Sequence, residues 1–228
     1  MARVFEFLEY VAQSPDGVTF SQIVNDLAVP KSSLHSLLAV ATNAGWIYQT
    51  EEAGRFRIGL RAWQVGLSYS ALDSLAQIAL PFMTAVRDQV HETVQLAVLD
   101  GIDNIYVAKV EAEHELRLVS TVGARLPAYA TGIGKALLAS LDEVELRRRM
   151  KGVKMGRFTP QTIRTMPALE AAVAEVRSNG YAEDDGEYTA GIHCVAVQVR
   201  GFEGRVVAAM SCSASTARLA TATSSRTG

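Results

Sequence analysis

Only two of the 228 residues are cysteine, Cys194 and Cys212. Their spacing fits neither a disulfide framework nor a metal-binding set, so reduced thiols in a cytosolic setting are expected. No apolar run approaches the ~18 residues of a membrane span. The opening MARVFEFLEYVAQ carries Glu6 and Glu9 among its apolar residues, which does not fit a secretory signal. Positive charge is not in excess: 22 Lys and Arg stand against 24 Asp and Glu, a formal net charge of −2. The whole-chain field therefore points to neither nucleic acid nor a membrane surface, and any such partner needs a local site. The histidines, His35, His91, His114 and His193, lie far apart and read as surface or core residues rather than metal ligands. A phosphate loop is missing as well. Around Gly134–Lys135, Tyr129 stands where the first glycine of a Walker motif belongs, and Ala136 replaces its hydroxyl residue. Leu137 likewise replaces the third glycine of a dinucleotide fingerprint. With no triad, metal set or phosphate loop, neither an enzyme nor a cofactor is expected.

What is there is an ordinary globular composition, 49% hydrophobic and 20% charged, long enough for one large or two small domains. Val4, Phe5, Leu8 and Val11 recur at helical spacing. Thr19 followed by Gln22 fits a capping box, and Pro30 suits the first position of a third helix. That helix carries Leu34, Leu37, Leu38 and Ala41, and Gly45 suits its stop. Short strand-like runs at 46–50 and 55–58 then bracket EEAG. Helix, helix, helix, hairpin is the order of a winged helix-turn-helix, which docks its third helix in the major groove of DNA. Lys31, Ser32, Ser33, His35 and Ser36 would face phosphates and base edges, with Thr42 and Asn43 further along, and Arg55 and Arg57 would form the wing contact. Against this, residues 1–65 hold five basic and six acidic side chains, and a polar helix face is usually just solvated.

Two helical segments over 60–91 read as a connector. From 93 onward the pattern turns to strands: TVQLAVLD and NIYVAKVE flank a turn at GID, and ELRLVST follows. Helices are expected near 133–139, 142–151 and up to Asn179–Gly180, then strands at YAEDD, HCVAVQVR and RVVAAMSCS. The order suggests an α+β domain on an antiparallel sheet. The tail from Ala214 is small and polar, and is expected to be disordered. Two features could bind a small molecule. The glycine-rich turn at 132–134 opens a helix whose N–H groups suit a carboxylate, with Lys135 either assisting or facing solvent. Ser211 and Ser213 share one face of an otherwise apolar strand.

The stretches GVTFSQIVNDLAVPKSSLHSLL, GRFRIGLRAWQVG, HETVQLAVLDG, RLVSTVGARLPAYATGIGKALLASL and GYAEDDGEYTAGIHCVAVQV resemble the IclR family of bacterial transcription regulators over residues 2–213. The resemblance implies a winged-helix DNA-binding domain (1–58), a linker helix (59–75), a GAF-like effector domain (76–213) and a tail (214–228). It implies a homodimer or homotetramer that binds double-stranded DNA under control of a small organic, carboxylic or aromatic, acid. The family's pocket falls on Gly132, Ile133, Asp184, Cys194, Ser211 and Ser213, with Leu96, Leu118, Leu126 and Phe158 as candidate walls. Ser36 stands where the family often has arginine, and Ile133 where a smaller residue is common. The tail has no apolar period for the family's last helix. The alternative is a small-molecule sensor with a weakened DNA module that acts through protein partners.

Overall fold

The computed structural model describes residues 2–50, 54–68, 70–113 and 120–218. They form two compact units, Met1–Ala71 and Leu72–Gly228.

In the first unit, α1 (Ala2–Ala12), α2 (Phe20–Asp26) and α3 (Lys31–Asn43) precede the antiparallel pair β1 (Ile47–Gln49) and β2 (Phe56–Ile58) and the short α4 (Leu60–Gly66). Thr19 caps α2 as expected: its hydroxyl accepts from Gln22 N, and its own N–H donates to Gln22 Oε1 at 2.8 Å. Pro30 is the residue before the first turn of α3 rather than its first member, because Lys31 opens the helix. Gly45, at φ +76°, follows α3 in the left-handed conformation that glycine adopts without steric cost. The buried face of α1 differs from the expected one. Phe7 and Val11 are enclosed with Ile23, Leu34, Leu38 and Ile47, whereas Phe5 is 64% exposed. At 100° per residue, Phe5 lies some 200° round the helix from Phe7, so the two cannot share a face.

In the second unit, α5 (Ser70–Val90) leads into β3 (Thr93–Asp100) and β4 (Asp103–Val110), then β5 (Arg125–Pro127) and a 3-10 turn at Ala128–Ala130. Next come α6 (Gly132–Leu138), α7 (Glu143–Met150), α8 (Met166–Asn179), β6 (Tyr181–Asp185), β7 (Ile192–Arg200) and β8 (Val206–Ser215). The six strands form one antiparallel sheet in the order β5-β4-β3-β8-β7-β6. Val94 and Leu96 turn to one face with Met83 of α5, while Ala97, Tyr106 and Ala209 turn to the other with α6 and α8. Burial on both faces explains why β3 reads as an apolar run without alternation.

The tail boundary expected at Ala214 lies too early. β8 keeps pairing with β7 through Ile192↔Ser215, Ala214 is buried, and Thr216 N–H donates to Gly191 O. Arg218 Nε then reaches Glu92 Oε1 at 2.8 Å. Most of the expected strand ELRLVST, Leu118 within it, and residues 219–228 lie outside the described residues.

Candidate functional site

The stretch TGIGKALL forms α6, which is buried along its whole length. Thr131 caps it, accepting from Gly134 N at 3.1 Å and donating to Asn104 Oδ1 at 2.8 Å. The glycines serve close approach. A Cβ on Gly134 would lie 2.3 Å from Ala128 Cα, and one on Gly132 would lie 3.3 Å from Asp184 Cβ. Lys135 neither assists an anion in the cavity nor faces solvent. It is 5% exposed, and its Nζ is bonded to Glu187 Oε1. A cation pointing from an enclosed helix needs such a partner, because a lone buried charge is costly.

Above the N-terminus of α6 the sheet contributes one polar side chain after another: Gln95 from β3, Tyr106 from β4, Asp184 from β6, Cys194 from β7, and Ser211 and Ser213 from β8. Period-2 alternation sets their direction, and register brings them together, since Cys194 pairs with both Asp184 and Ser213 while Gln95 pairs with Ser211. They line a partly open cavity of about 40 Å³. Gly132, Ile133, Asp184, Cys194, Ser211 and Ser213 all line it, as does Leu126. Leu96 does not: it faces α5 on the opposite side of the sheet. Phe158 is 46% exposed and outside the lining, with its ring 4.6 Å from that of Tyr188, which does line the cavity.

Gln95, Tyr106, Ser120, Thr131, Tyr188, Thr189 and Ile192 also line the cavity, and the sequence alone does not single them out. Cys194 Sγ and Ser213 Oγ are 3.0 Å apart, Ser213 donates to Gln95 Oε1 at 3.5 Å, and Gln95 Nε2 donates to Ser120. The signal for Gln95 was present, as the one amide inside TVQLAVLD. Ser120 had none, because its role depends on a contact with a distant strand.

Burial pushes the Asp184 carboxyl up. The Glu187 N–H, Lys135, the Gly132 N–H and His193 oppose that shift. Burial also pushes the Cys194 thiol up to about 12, with Asp184 adding to it, so at neutral pH it is a neutral donor or acceptor and not a nucleophile. Tyr106 is raised, again mainly by burial. No lysine, arginine or histidine occurs among the described lining residues. No group of three or more His, Cys, Asp or Glu suited to a metal occurs among the described residues either.

In the first unit, Lys31, Ser32, Ser33, His35 and Ser36 are all exposed on α3. Ser36 Oγ donates back to Ser32 O at 3.3 Å, and the His35 ring lies 4.6 Å from Phe20. Arg55 and Arg57 are half-buried. Arg55 Nη1 donates to Gly17 O at 2.9 Å, and Arg57 Nη2 lies 3.9 Å from Asp16 Oδ1. The wing arginines thus also brace the loop between α1 and α2.

Residues 69–227 match the family described as "Bacterial transcriptional regulator IclR C-terminal", and residues 1–51 match the "IclR helix-turn-helix domain". The chain is 35% identical to the HTH-type transcriptional regulator XynR of Escherichia coli K12 over 217 residues, 95% of this chain and 86% of that one. It is 33% identical to the transcriptional repressor AllR of Klebsiella pneumoniae, over 96% of this chain and 80% of that one. Among solved structures, an IclR homolog from Microbacterium hydrocarbonoxydans complexed with 4-hydroxybenzoate aligns with a TM-score of 0.82 and 30% identity, covering 94% of this chain and 88% of that one. These relatives span both units and are named as regulators, which disfavours a sensor with a degenerate DNA module. The chain belongs to the IclR family of bacterial transcriptional regulators.

Proposed function

We propose that the protein regulates transcription by binding double-stranded DNA, and that a small carboxylic or aromatic acid in the cavity modulates this binding. α3 enters the major groove, where Lys31, Ser32, Ser33, His35 and Ser36 meet phosphates and base edges, and the wing brings Arg55 and Arg57 to the backbone. Gly132, Ile133, Asp184, Cys194, Ser211 and Ser213 hold the effector. The observation that carries this reading is the partly open polar cavity: six side chains converge there, on a sheet face that is otherwise apolar core. The 4-hydroxybenzoate held by the Microbacterium homolog supports an acid as ligand. The working division is a DNA-binding domain at 1–58, a linker at 59–75 that carries α4 and the start of α5 in place of the single helix expected, and an effector domain from 76. The protein acts in the cytoplasm, without catalysis or cofactor, as a homodimer or homotetramer. Self-association is supported by Phe5, Leu60 and Trp63, apolar side chains at least 60% exposed in the first unit.

Two measurements test this. Electrophoretic mobility shift on the DNA flanking its own gene should show a sequence-preferring complex that weakens with salt; loss of all preference at low salt defeats the DNA half. Thermal shift across small organic acids should show stabilisation that Ser211→Ala and Ser213→Ala reduce. Equal stabilisation of all three proteins would place the acid elsewhere.

A further inference from the structure

An acid docking on the Gly132 and Ile133 amides meets an obstacle. The space above those amides is bounded by Asp184, whose Cβ would lie 3.3 Å from a Cβ built on Gly132. Asp184 already accepts from Glu187 N at 2.7 Å and is 5% exposed. No cation lines the cavity among its described residues. The nearby cation, Lys135 on α6, is held by Glu187 of the β6–β7 loop. A second carboxylate placed here would face a first with no cation among the described lining residues and with Lys135 already paired to Glu187. Two carboxylates sharing one site take up a proton between them.

We propose that an acid effector enters the cavity together with one proton, shared between its carboxylate and that of Asp184, so that effector affinity falls as pH rises. This rests on the acid-effector reading above. The other groups facing Asp184 are consistent with it. Cys194 on β7 and Tyr106 on β4 have their pKa values raised and stay neutral over the working range. Lys135 and Glu187 offset each other. Asp185, next along β6, points to the other face, and His193 on β7 has its Nδ1 3.6 Å from Asp185 Oδ1. Burial has already moved Asp184 toward its protonated form before any ligand arrives.

The test is calorimetric titration of the full-length protein with acetate and with 4-hydroxybenzoate from pH 6 to 8.5, in two buffers of different ionisation enthalpy. The expected result is uptake of about one proton per acid bound, with Kd rising about tenfold per pH unit where free Asp184 is ionised. This proton count needs no variant. Asp184→Asn should bind with a flat pH profile and more tightly than the wild type at pH 8. His193→Gln should keep the wild-type slope. Binding with no proton uptake and a constant Kd overturns the proposal and leaves the acid-effector reading standing. A slope lost in His193→Gln but kept in Asp184→Asn gives the proton to the imidazole and also overturns it. Absence of binding by both acids at every pH removes both readings.

Discussion

Replacing Gly134 by alanine sets two effects of opposite sign against each other. In a helix interior, alanine is favoured over glycine by about 1 kcal/mol. The added Cβ, however, would lie 2.3 Å from Ala128 Cα, 2.4 Å from Ala128 O and 2.6 Å from Thr131 Oγ1. Two of these are backbone atoms of the buried 3-10 turn, so no rotamer change relieves the contact. Overpacking a core costs about 1–3 kcal/mol where side chains can shift; here the turn and α6 must separate and the Thr131 cap loosens, worth roughly another 1 kcal/mol. The clash wins, with a net loss of about 1–3 kcal/mol. In a chain of this length that is a fall of roughly 2–12 °C in Tm. Gly132→Ala is the control: its nearest contact is 3.3 Å, to the Asp184 side chain, so its cost should stay below about 1 kcal/mol. Differential scanning calorimetry of both variants checks this. A Gly134→Ala protein melting within 1 °C of the wild type, or a Gly132→Ala protein melting lower than Gly134→Ala, refutes the close-approach account of this motif.

Lys135→Met should strand Glu187 in a site where its carboxyl is already pushed up by burial and is held by the lysine; a loss of about 3–5 kcal/mol by urea unfolding is expected, largely recovered in Lys135→Met/Glu187→Leu. Thr19→Ala removes one acceptor from the start of α2 and should cost about 1 kcal/mol by the same assay, localised to the first unit by hydrogen exchange. Asp184 has a folded pKa raised above its unfolded value, so its contribution to stability is most favourable at low pH and is lost as pH rises through the folded pKa. Asp184→Asn should therefore raise Tm at pH 7.5 and lose that advantage at pH 4; an unchanged difference across this range contradicts the burial argument.

Local signals explain what could be read in advance. The Thr19–Gln22 box, Gly45 after α3 and the turn at Gly101–Ile102–Asp103 are each set by neighbours within a few residues, where chain chemistry dominates. Ser211 and Ser213 were legible because alternation forces them onto one face, and two hydroxyls there need an explanation. The misreadings share a different cause. The helical period alone did not decide which apolar stripe of α1 was buried, and the choice fell to Phe7 because α2 and α3 pack there. Sequence does not locate Lys135, because its partner, Glu187, is far along the chain and arrives only through β6–β7 pairing.

The same distinction bears on how the cavity works. A helix N-terminus read in isolation is an anion site, and sequence supports no more than that. In the folded unit the protein's own carboxylate already stands beside that N-terminus, with Asp184 Cβ 3.3 Å from where a Gly132 Cβ would lie. An acid entering as proposed would meet Asp184 there rather than empty positive potential. A proton shared with Asp184 would weaken it as the acceptor of the Glu187 N–H, and Glu187 in turn holds Lys135. A ligand event at Gly132 would then reach the ion pair through three consecutive contacts. Effector binding is expected to alter hydrogen exchange at the Glu187 amide in the wild type and to leave it unaltered in Asp184→Ala, where the first contact is absent. Equal responses in the two proteins would break the chain at its first step.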